Sequence, residues 1–181
     1  MNDRQREYER LIAPIEDRMM RAVWRITGDA TDADDALQEA LLTVWKRWER
    51  IARHPNPHAL ILHICVNAAH DVLRRRVRHG KWVEEGAVAE AVADPAAPVV
   101  HKIACDEERA QVMRAIARLP RNQARAILLH AVEEIPYVEI AAAMDCREST
   151  VRKHVERARV RLRELLSHLV PVIRREETSN V

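Results

Sequence analysis

The sequence predicts an all-α protein with two small helical domains, an N-terminal bundle of three or four helices and a C-terminal helix-turn-helix domain, joined by a flexible linker. The 181 residues include three glycines and no phenylalanine, whereas alanine, leucine, valine and arginine dominate, and this composition favours helices over strands. Apolar residues recur at helical spacing in both halves of the chain. Between the halves the period fades, where glycine and proline interrupt the sequence at Gly80, Gly86, Pro95 and Pro98.

These signals divide the chain into four segments. They are an N-terminal domain at 1–80, a linker at 81–104, a C-terminal domain at 105–172 and a polar tail at 173–181.

In the N-terminal domain we expect helices at about 5–27, 32–50 and 57–78. Gly28 separates the first two, and Thr31 or Asp32 is placed to cap the second by accepting from its free amides. Pro55 and Pro57 separate the second from the third, because proline is not tolerated inside a helix.

In the C-terminal domain, Leu119-Pro120 ends one helix and 121–132 forms another. The segments 136–144 and 149–169 follow, with a tight turn between them. A short helix, a tight turn and a long basic helix are together typical of a helix-turn-helix.

Charge is distributed unevenly, although the formal net charge is only +2. Residues 29–39 hold five acids and no base, which suits a basic protein partner, whereas seven bases between 147 and 163 suit phosphate.

Three distant cysteines indicate neither a disulfide framework nor a zinc knuckle. The sequence shows no signal peptide and no apolar run long enough to span a bilayer, so we expect a cytoplasmic protein without membrane insertion.

The acidic helix has two faces on a helical wheel. Leu37, Leu41, Val44 and Trp48 form an apolar stripe that we expect in the core, with Trp45 at its edge. The opposite face carries Asp35, Gln38, Glu39 and Leu42. Acids in the first turns could simply complement the helix dipole, or they could form a protein-docking face.

The third helix is apolar on most sides and keeps one polar stripe. The stripe carries His63, Asn67, His70 and Arg74, and Arg75 follows in a basic C-terminal end. Asparagine can read base edges and arginine can hold phosphate or guanine, which makes the stripe a candidate DNA contact. A solvated stripe with bases that favour the helix dipole explains the pattern equally well.

The long basic helix presents one apolar face, with Val151, Val155, Ala158 and Leu162. Its outer face is cationic, which predicts a recognition helix packed on a core and turned toward DNA. That face carries Ser149, Arg152, Lys153, Arg157, Arg159 and Arg163.

Three motifs together resemble a bacterial sigma factor of the extracytoplasmic-function type. The first is the D-x-x-Q-E spacing of Asp35, Gln38 and Glu39, and the second is N-x-A-x-D-x-x-R-R from Asn67 to Arg75. The third runs from Leu119-Pro120 through Y-x-E-I-A at 137–141 to R-A-R-x-x-L at 157–162, similar to sigma region 4.

The resemblance implies a fold, partners and site residues. It implies docking on core RNA polymerase, at the β′ clamp helices and the β flap, together with promoter DNA and an anti-sigma factor as partners. The polymerase contact would use Asp35, Gln38, Glu39 and Leu42. The −10 element would meet Arg53, His54, Asn56, His63, Asn67, His70, Arg74 and Arg75. The −35 element would meet Ser149, Thr150, Arg152, Lys153, His154 and Arg157.

Three positions depart from the family pattern. Leu60 stands where tryptophan is usual, which puts the −10 preference in question. Asp145 stands in the turn where glycine is usual, although aspartate tolerates the left-handed region better than most residues. Arg147 replaces a capping serine, so we expect the cap to shift to Glu148 or Ser149.

Other functions leave part of the pattern unexplained. A stand-alone helix-turn-helix regulator leaves Gln38, Glu39 and the Asn67 helix without a role, and a helical protein that never touches promoters leaves the basic face without one. We expect no enzyme, because the sequence shows no nucleophile–base pattern or phosphate-cradling loop. No metal or cofactor is expected, since His63 and His70 lie about 10 Å apart along a helix axis.

Overall fold

The computed structural model describes residues 3–79 and 99–167, and the regular elements of the described part are all helical, without strands. Its helices run in chain order as follows: α1 Asp3–Ile12, α2 Glu16–Thr27, α3 Ala30–Lys46, α4 Trp48–Ala52, α5 Pro57–Arg78, α6 Val99–Ala117, α7 Arg121–Ile127, α8 Tyr137–Ala143 and α9 Glu148–Leu165. Residues 81–98 of the linker expected at 81–104, and the tail expected at 173–181, lie outside the described residues.

The first expected helix is two helices. A 3-10 turn at Ala13–Ile15 separates α1 from α2, and Pro14 lies inside it. Proline removes one helical hydrogen bond and clashes with the preceding turn, so the single helix expected at 5–27 was wrong.

Gly28 and Asp29 make the junction between α2 and α3. Gly28 takes the left-handed conformation that glycine adopts without strain (φ 66°), and its amide donates to the Trp24 carbonyl. The Asp29 carboxylate then accepts from the amide of Asp32 at 2.8 Å. The cap expected at Thr31 or Asp32 is therefore Asp29, because the helix begins at Ala30.

The second expected helix is also interrupted. Arg47 leaves helical geometry (φ −107°, ψ 18°) between α3 and α4. Asn56 caps α5 by accepting from the Ala59 amide at 3.0 Å, and Pro57 occupies the first turn. The bounds of α5 are those expected from the sequence, and its start follows the break made by the two prolines.

The N-terminal core forms where α5 packs against α2 and α3. Small side chains on α3, at Ala33, Ala36 and Ala40, are buried and allow close helix packing. Leu37 and Leu41 are only half-buried at the flank. The expected core stripe on this helix is therefore confirmed: Val44 and Trp48 are buried, and the two leucines pack against the core from its flank.

The C-terminal unit begins earlier than expected, because the helix that precedes Leu119 starts at Val99 and takes in 99–104 from the expected linker. α7 continues into a π-helical segment at Leu128–Val132. The core of this unit draws on α7, α8, α9 and the connecting segments, with Leu119, Leu128, Leu129, Ile140, Val151, Val155 and Ala158 nearly inaccessible.

The two units pack against each other through α5. This helix contacts α2 and α3 on one side and α6, α7 and α8 on the other, and one continuous apolar cluster extends through both units. Of the 22 residues in α5, 12 are buried, which is more than one apolar face accounts for. Within the described ranges, no helix has the length and apolarity needed to cross a membrane.

Candidate polymerase-docking and nucleic-acid surfaces

The acidic face of α3 is open to solvent. Asp35, Gln38 and Glu39 are exposed, and Leu42 is 60% exposed. Close by, Trp45 is 43% exposed and packs edge-on against Tyr8 with ring centroids 5.4 Å apart. Ala33, Ala36 and Ala40 on the opposite side of α3 are buried in the core, so this face points to solvent. Carboxylates and an amide around a large exposed leucine are suited to docking a basic, partly apolar surface.

Two ion pairs join α3 to the basic end of α5. Arg75 and Glu39 are 3.7 Å apart, and both side chains are more than half exposed, so this pair contributes little to stability. Arg76 and Asp32 are closer, at 3.1 Å, and less exposed. The pair of Arg76 and Asp32 therefore holds α5 against α3, whereas Arg75 and Glu39 stay exposed to a binding partner.

The polar stripe of α5 is covered. Asn67 Nδ2 lies 3.2 Å from His63 Nε2, and the Asn67 amide oxygen is buried without a hydrogen-bond partner. His70 is fully buried, and both its ring nitrogens lack partners. His63, Asn67 and Arg74 are half-buried, whereas His70 is enclosed and is not presented to DNA in this arrangement. Its −10 contact stays a prediction.

Burial keeps both histidines of the stripe neutral. Desolvation, assisted by Arg125, lowers the pKa of His63 to about 4, while contact with the Ala143 backbone opposes the change. Desolvation also lowers the pKa of His70 to about 4, against the opposing effect of Asp71. At neutral pH neither ring adds positive charge to the interface between the units.

The loop before α5 also meets the C-terminal unit. His54 Nε2 lies 3.3 Å from the Ala142 carbonyl oxygen, and Asn56 Nδ2 donates to a Glu139 carboxylate oxygen at 2.8 Å. Because the Asn56 oxygen also caps α5, both ends of this amide are occupied. Arg53 and Arg75 are exposed, and Arg74 is half-buried.

The outer face of α9 is open. Ser149, Arg152, Lys153 and Arg157 are exposed, and Thr150 and His154 are half-buried. In the preceding turn Asp145 adopts the expected left-handed conformation (φ 54°). Arg147 itself occupies the N-cap position and makes no side-chain cap, so the expected shift to Glu148 or Ser149 was wrong.

Arg152 is held by neighbours that sequence reasoning missed. Its Nε donates to Glu148 Oε1 at 2.9 Å, and its guanidinium lies over the Tyr137 ring at 4.4 Å from the centroid. Tyr137 in turn stacks on His130 with centroids 4.1 Å apart. The i,i+4 spacing of Glu148 and Arg152 was a visible signal, but the stack needs the fold to bring α8 beside α9.

Sequence reasoning also missed the charged contacts between the units. Buried Glu133 lies 3.7 Å from both Arg18 and Arg25 of α2, and Arg121 donates to Asp71 at 2.7 Å. Desolvation raises the pKa of Glu133, while Arg25 and Arg18 oppose that effect. In the sequence Glu133 is one of two adjacent acids before a proline, which is typical of a solvated loop.

The described residues include no group of three or more histidine, cysteine, aspartate or glutamate side chains placed to hold a metal ion.

Family models match both units. The sigma-70 region 2 model matches residues 11–79, and the sigma-70 region 4 model matches residues 109–162.

Curated relatives align over most of the chain. The extracytoplasmic-function RNA polymerase sigma factor SigM of Mycobacterium tuberculosis is 30% identical, over 84% of this chain and 74% of its own length. The RNA polymerase sigma-E factor of Streptomyces coelicolor is 28% identical, over 88% of this chain and 86% of its own length. SigJ of M. tuberculosis is 32% identical over 78% of this chain, but the chain spans only 45% of that longer protein.

Solved structures share the fold. The sigma factor RpoE of Bartonella quintana, in complex with the anti-sigma factor NepR, aligns with a TM-score of 0.55 over 88% of this chain and 96% of that chain, at 22% identity. CnrH, in complex with the cytosolic domain of CnrY, also aligns with a TM-score of 0.55, over 91% of this chain and 90% of that chain, at 20% identity.

Proposed function

The chain belongs to the sigma-70 family as an alternative sigma factor of the extracytoplasmic-function type that directs transcription initiation, and we propose which of its surfaces meet polymerase and promoter. The acidic face of α3 docks on the β′ clamp helices of core RNA polymerase. The polar stripe of α5 and the loop before it take the −10 element, and the outer face of α9 takes the −35 element while its unit meets the β flap.

The exposure of the α3 face carries this proposal. Asp35, Gln38 and Glu39 surround a leucine that is 60% exposed on a helix whose other side is fixed in the core. An exposed apolar side chain beside two exposed carboxylates and an amide is suited to binding a basic, partly apolar partner.

The outer face of α9 suits duplex DNA. Arg152, Lys153 and Arg157 are exposed along one side of a helix whose other side is packed in the core. Phosphate contacts by such residues give affinity, and Ser149 and Thr150 at the helix start lie where base edges are read.

For the −10 element we propose Asn67, His63 and Asn56 as base contacts and Arg53, Arg74 and Arg75 as phosphate contacts. Amide and imidazole groups can hydrogen-bond the edge of an unstacked base, which exposes more of its edge than a paired base does. His54 and His70 complete the proposed set.

An anti-sigma factor is a further proposed partner, because the related RpoE was solved with one. We place the protein with its polymerase in the bacterial cytoplasm and assign it no catalytic activity.

The decisive test is transcription with purified core RNA polymerase and a promoter library, comparing Gln38→Ala/Glu39→Ala with the wild type. We expect core-dependent initiation from a shared −35/−10 pair, reduced at least about tenfold in the double variant through lost docking contacts. The matched control is Gln5→Ala/Glu9→Ala, which removes an exposed glutamine–glutamate pair from α1 and should initiate normally.

A stand-alone helix-turn-helix regulator remains the second candidate, supported by the open face of α9. It predicts binding to duplex DNA without core association or initiation. That result, or equal activity of the two double variants, would overturn the proposed docking.

A further inference from the structure

The guanidinium of Arg152 is held from two sides. Its Nε and Nη2 both donate to Glu148 Oε1, at 2.9 and 2.5 Å. One face of the same group lies over the Tyr137 ring, 4.4 Å from the ring centroid. The carboxylate sets the direction of the guanidinium and the ring supports one of its faces, so Arg152 has little rotamer freedom left to lose when it binds DNA.

The supporting ring is itself supported. Tyr137 stacks on His130, with ring centroids 4.1 Å apart and the two planes inclined by 28°. His130 lies in the π-helical segment Leu128–Val132, and its Nδ1 is 3.4 Å from the Ile135 carbonyl oxygen. Short π-helical segments are rare and frequently occur at functional sites. The orientation of Arg152 therefore depends on three side chains from three successive elements.

Glu148 leaves one edge of the Arg152 guanidinium for a ligand. Nε and Nη2 form the side edge that Glu148 occupies, and no described residue bonds to Nη1 on the end edge. The parallel N–H donors of the end edge match O6 and N7 of guanine in the major groove. The side chain of Arg152 is 60% exposed, so a base can reach that edge while Glu148 stays in place.

The neighbouring cations on the same face are not held in this way. Lys153 and Arg157 are exposed and form no hydrogen bond or ion pair with the described residues. Lysine is a point charge without a fork of donors, and flexible cations on a DNA-binding face contact phosphate, which carries no sequence information. Arg152 also lies near the start of α9, where a recognition helix approaches base edges.

We propose that Glu148, Tyr137 and His130 are positioning residues that make Arg152 the specificity-determining contact of the −35 face. The inference rests on the proposed −35 role of α9 and adds which side chain distinguishes bases and what orients it. Arg152 binds a guanine edge, whereas Lys153 and Arg157 bind phosphates.

Glu148 then has opposite effects on affinity and on specificity. Its negative charge lies on a face that meets phosphates, so it weakens binding to every sequence alike. Its hydrogen bonds to Arg152 favour one base over the others. An acid that only complements the dipole at the start of α9 has no effect on base preference.

Selection from a duplex pool randomised over about 10 base pairs, one helical turn, measures base preference when the full chain is the binder and the bound duplexes are sequenced. We expect the wild type to prefer guanine at one position by about tenfold or more. Glu148→Ala should reduce that preference to about twofold or less and leave the other positions unchanged. Glu148→Gln keeps an oxygen acceptor for Arg152 and should keep most of the preference.

Fluorescence anisotropy with a mixed-sequence duplex at one fixed salt concentration separates charge from orientation. The matched control is Glu156→Gln, at an exposed glutamate of α9 that makes no contact with Arg152. Each of the three variants removes one negative charge and should bind about two- to threefold more tightly than the wild type. The control should keep the wild-type base preference. His130→Ala should weaken the guanine preference by less than Glu148→Ala, and circular dichroism checks that each variant keeps its helices.

The same guanine preference in the wild type and in Glu148→Ala would overturn the positioning role. A loss in Glu148→Gln as complete as in Glu148→Ala would assign the effect to charge and overturn it as well. If the wild type enriches no sequence, the proposed −35 role fails, which is distinct from a preference that the variants leave intact.

Discussion

At the scale of single residues, the buried polar groups distinguish this chain from a simple helical bundle. His70 is fully enclosed with both ring nitrogens unpartnered, and the Asn67 oxygen is enclosed beside it. Unsatisfied buried groups cost stability, so their presence in a core needs a functional reason. The proposed −10 contact of Asn67 would supply such a reason, because its amide could then hydrogen-bond a base.

His70→Leu should flatten the pH dependence of stability. The pKa of His70 is about 4 in the folded chain, against 6.5 for an ordinary solvated histidine such as that of the unfolded chain. The unfolded chain therefore binds more protons between these values, and stability falls as pH drops through that window. Between pH 7.5 and pH 5, His70 alone lowers the free energy of unfolding by about 2 kcal/mol. Leucine has a similar volume and does not titrate, so the variant should avoid that share of the loss.

Urea unfolding of the wild type and His70→Leu at pH 7.5 and pH 5 measures the difference. His79→Gln, at an exposed histidine, is the control and should follow the wild type. Equal pH dependence in wild type and His70→Leu would show that His70 is not buried as a neutral group.

At the scale of elements, helix faces are fixed by what packs behind them. Because the buried side chains of α3 are alanines, this helix packs closely against α5, and Asp35 and Glu39 on its other side are exposed. α8 contributes in a different way, because its first residue supports the helix after the turn: Tyr137 lies between His130 and Arg152. A guanidinium held over a ring loses less rotamer freedom when it binds DNA, which favours affinity.

Tyr137→Ala should weaken binding to −35 duplex DNA about two- to fivefold, because a cation–π contact is worth roughly 0.5–1 kcal/mol at exposed sites. Tyr137→Phe keeps the ring under Arg152 and should bind like the wild type. Fluorescence anisotropy at one fixed salt concentration measures both, since phosphate contacts make affinity salt-dependent. Equal weakening in both variants would assign the effect to the hydroxyl and contradict support by the ring.

At the scale of the whole molecule, α5 packs into the cores of both units. One continuous apolar cluster extends from α2 to α9, and charged pairs join the units at its edges. A helix that belongs to two cores couples their stabilities.

Thermal unfolding of the wild type should therefore be a single transition, and Arg18→Glu/Arg121→Glu should lower its midpoint or divide it in two. For a chain of this size each kcal/mol lost moves the midpoint by about 2–4 °C. Scanning calorimetry measures this, with Arg6→Glu/Arg10→Glu as the charge-matched control. Two transitions in the wild type would mean that the units unfold independently.

The sequence by itself determined the helical fold class, the sigma-70 family and the open faces. Composition and the apolar period predicted helices, and Pro55 and Pro57 fixed the start of α5, because the backbone effects of proline are local. Asp35, Gln38 and Glu39 are exposed as the helical wheel predicted, since their side of α3 turns away from the alanines that pack against the core.

Only the tertiary structure decided what covers α5 and which acids are buried. A helical wheel shows which residues share a face, but a second unit brought from far along the chain can bury a polar face, as it does at His70. The sequence around Glu133 is typical of a solvated loop. In the structure Glu133 is buried and pairs with Arg18 and Arg25, which lie 115 and 108 residues away in sequence. Local sequence patterns carry no record of such contacts, because their energy depends on neighbours that only the folded chain supplies.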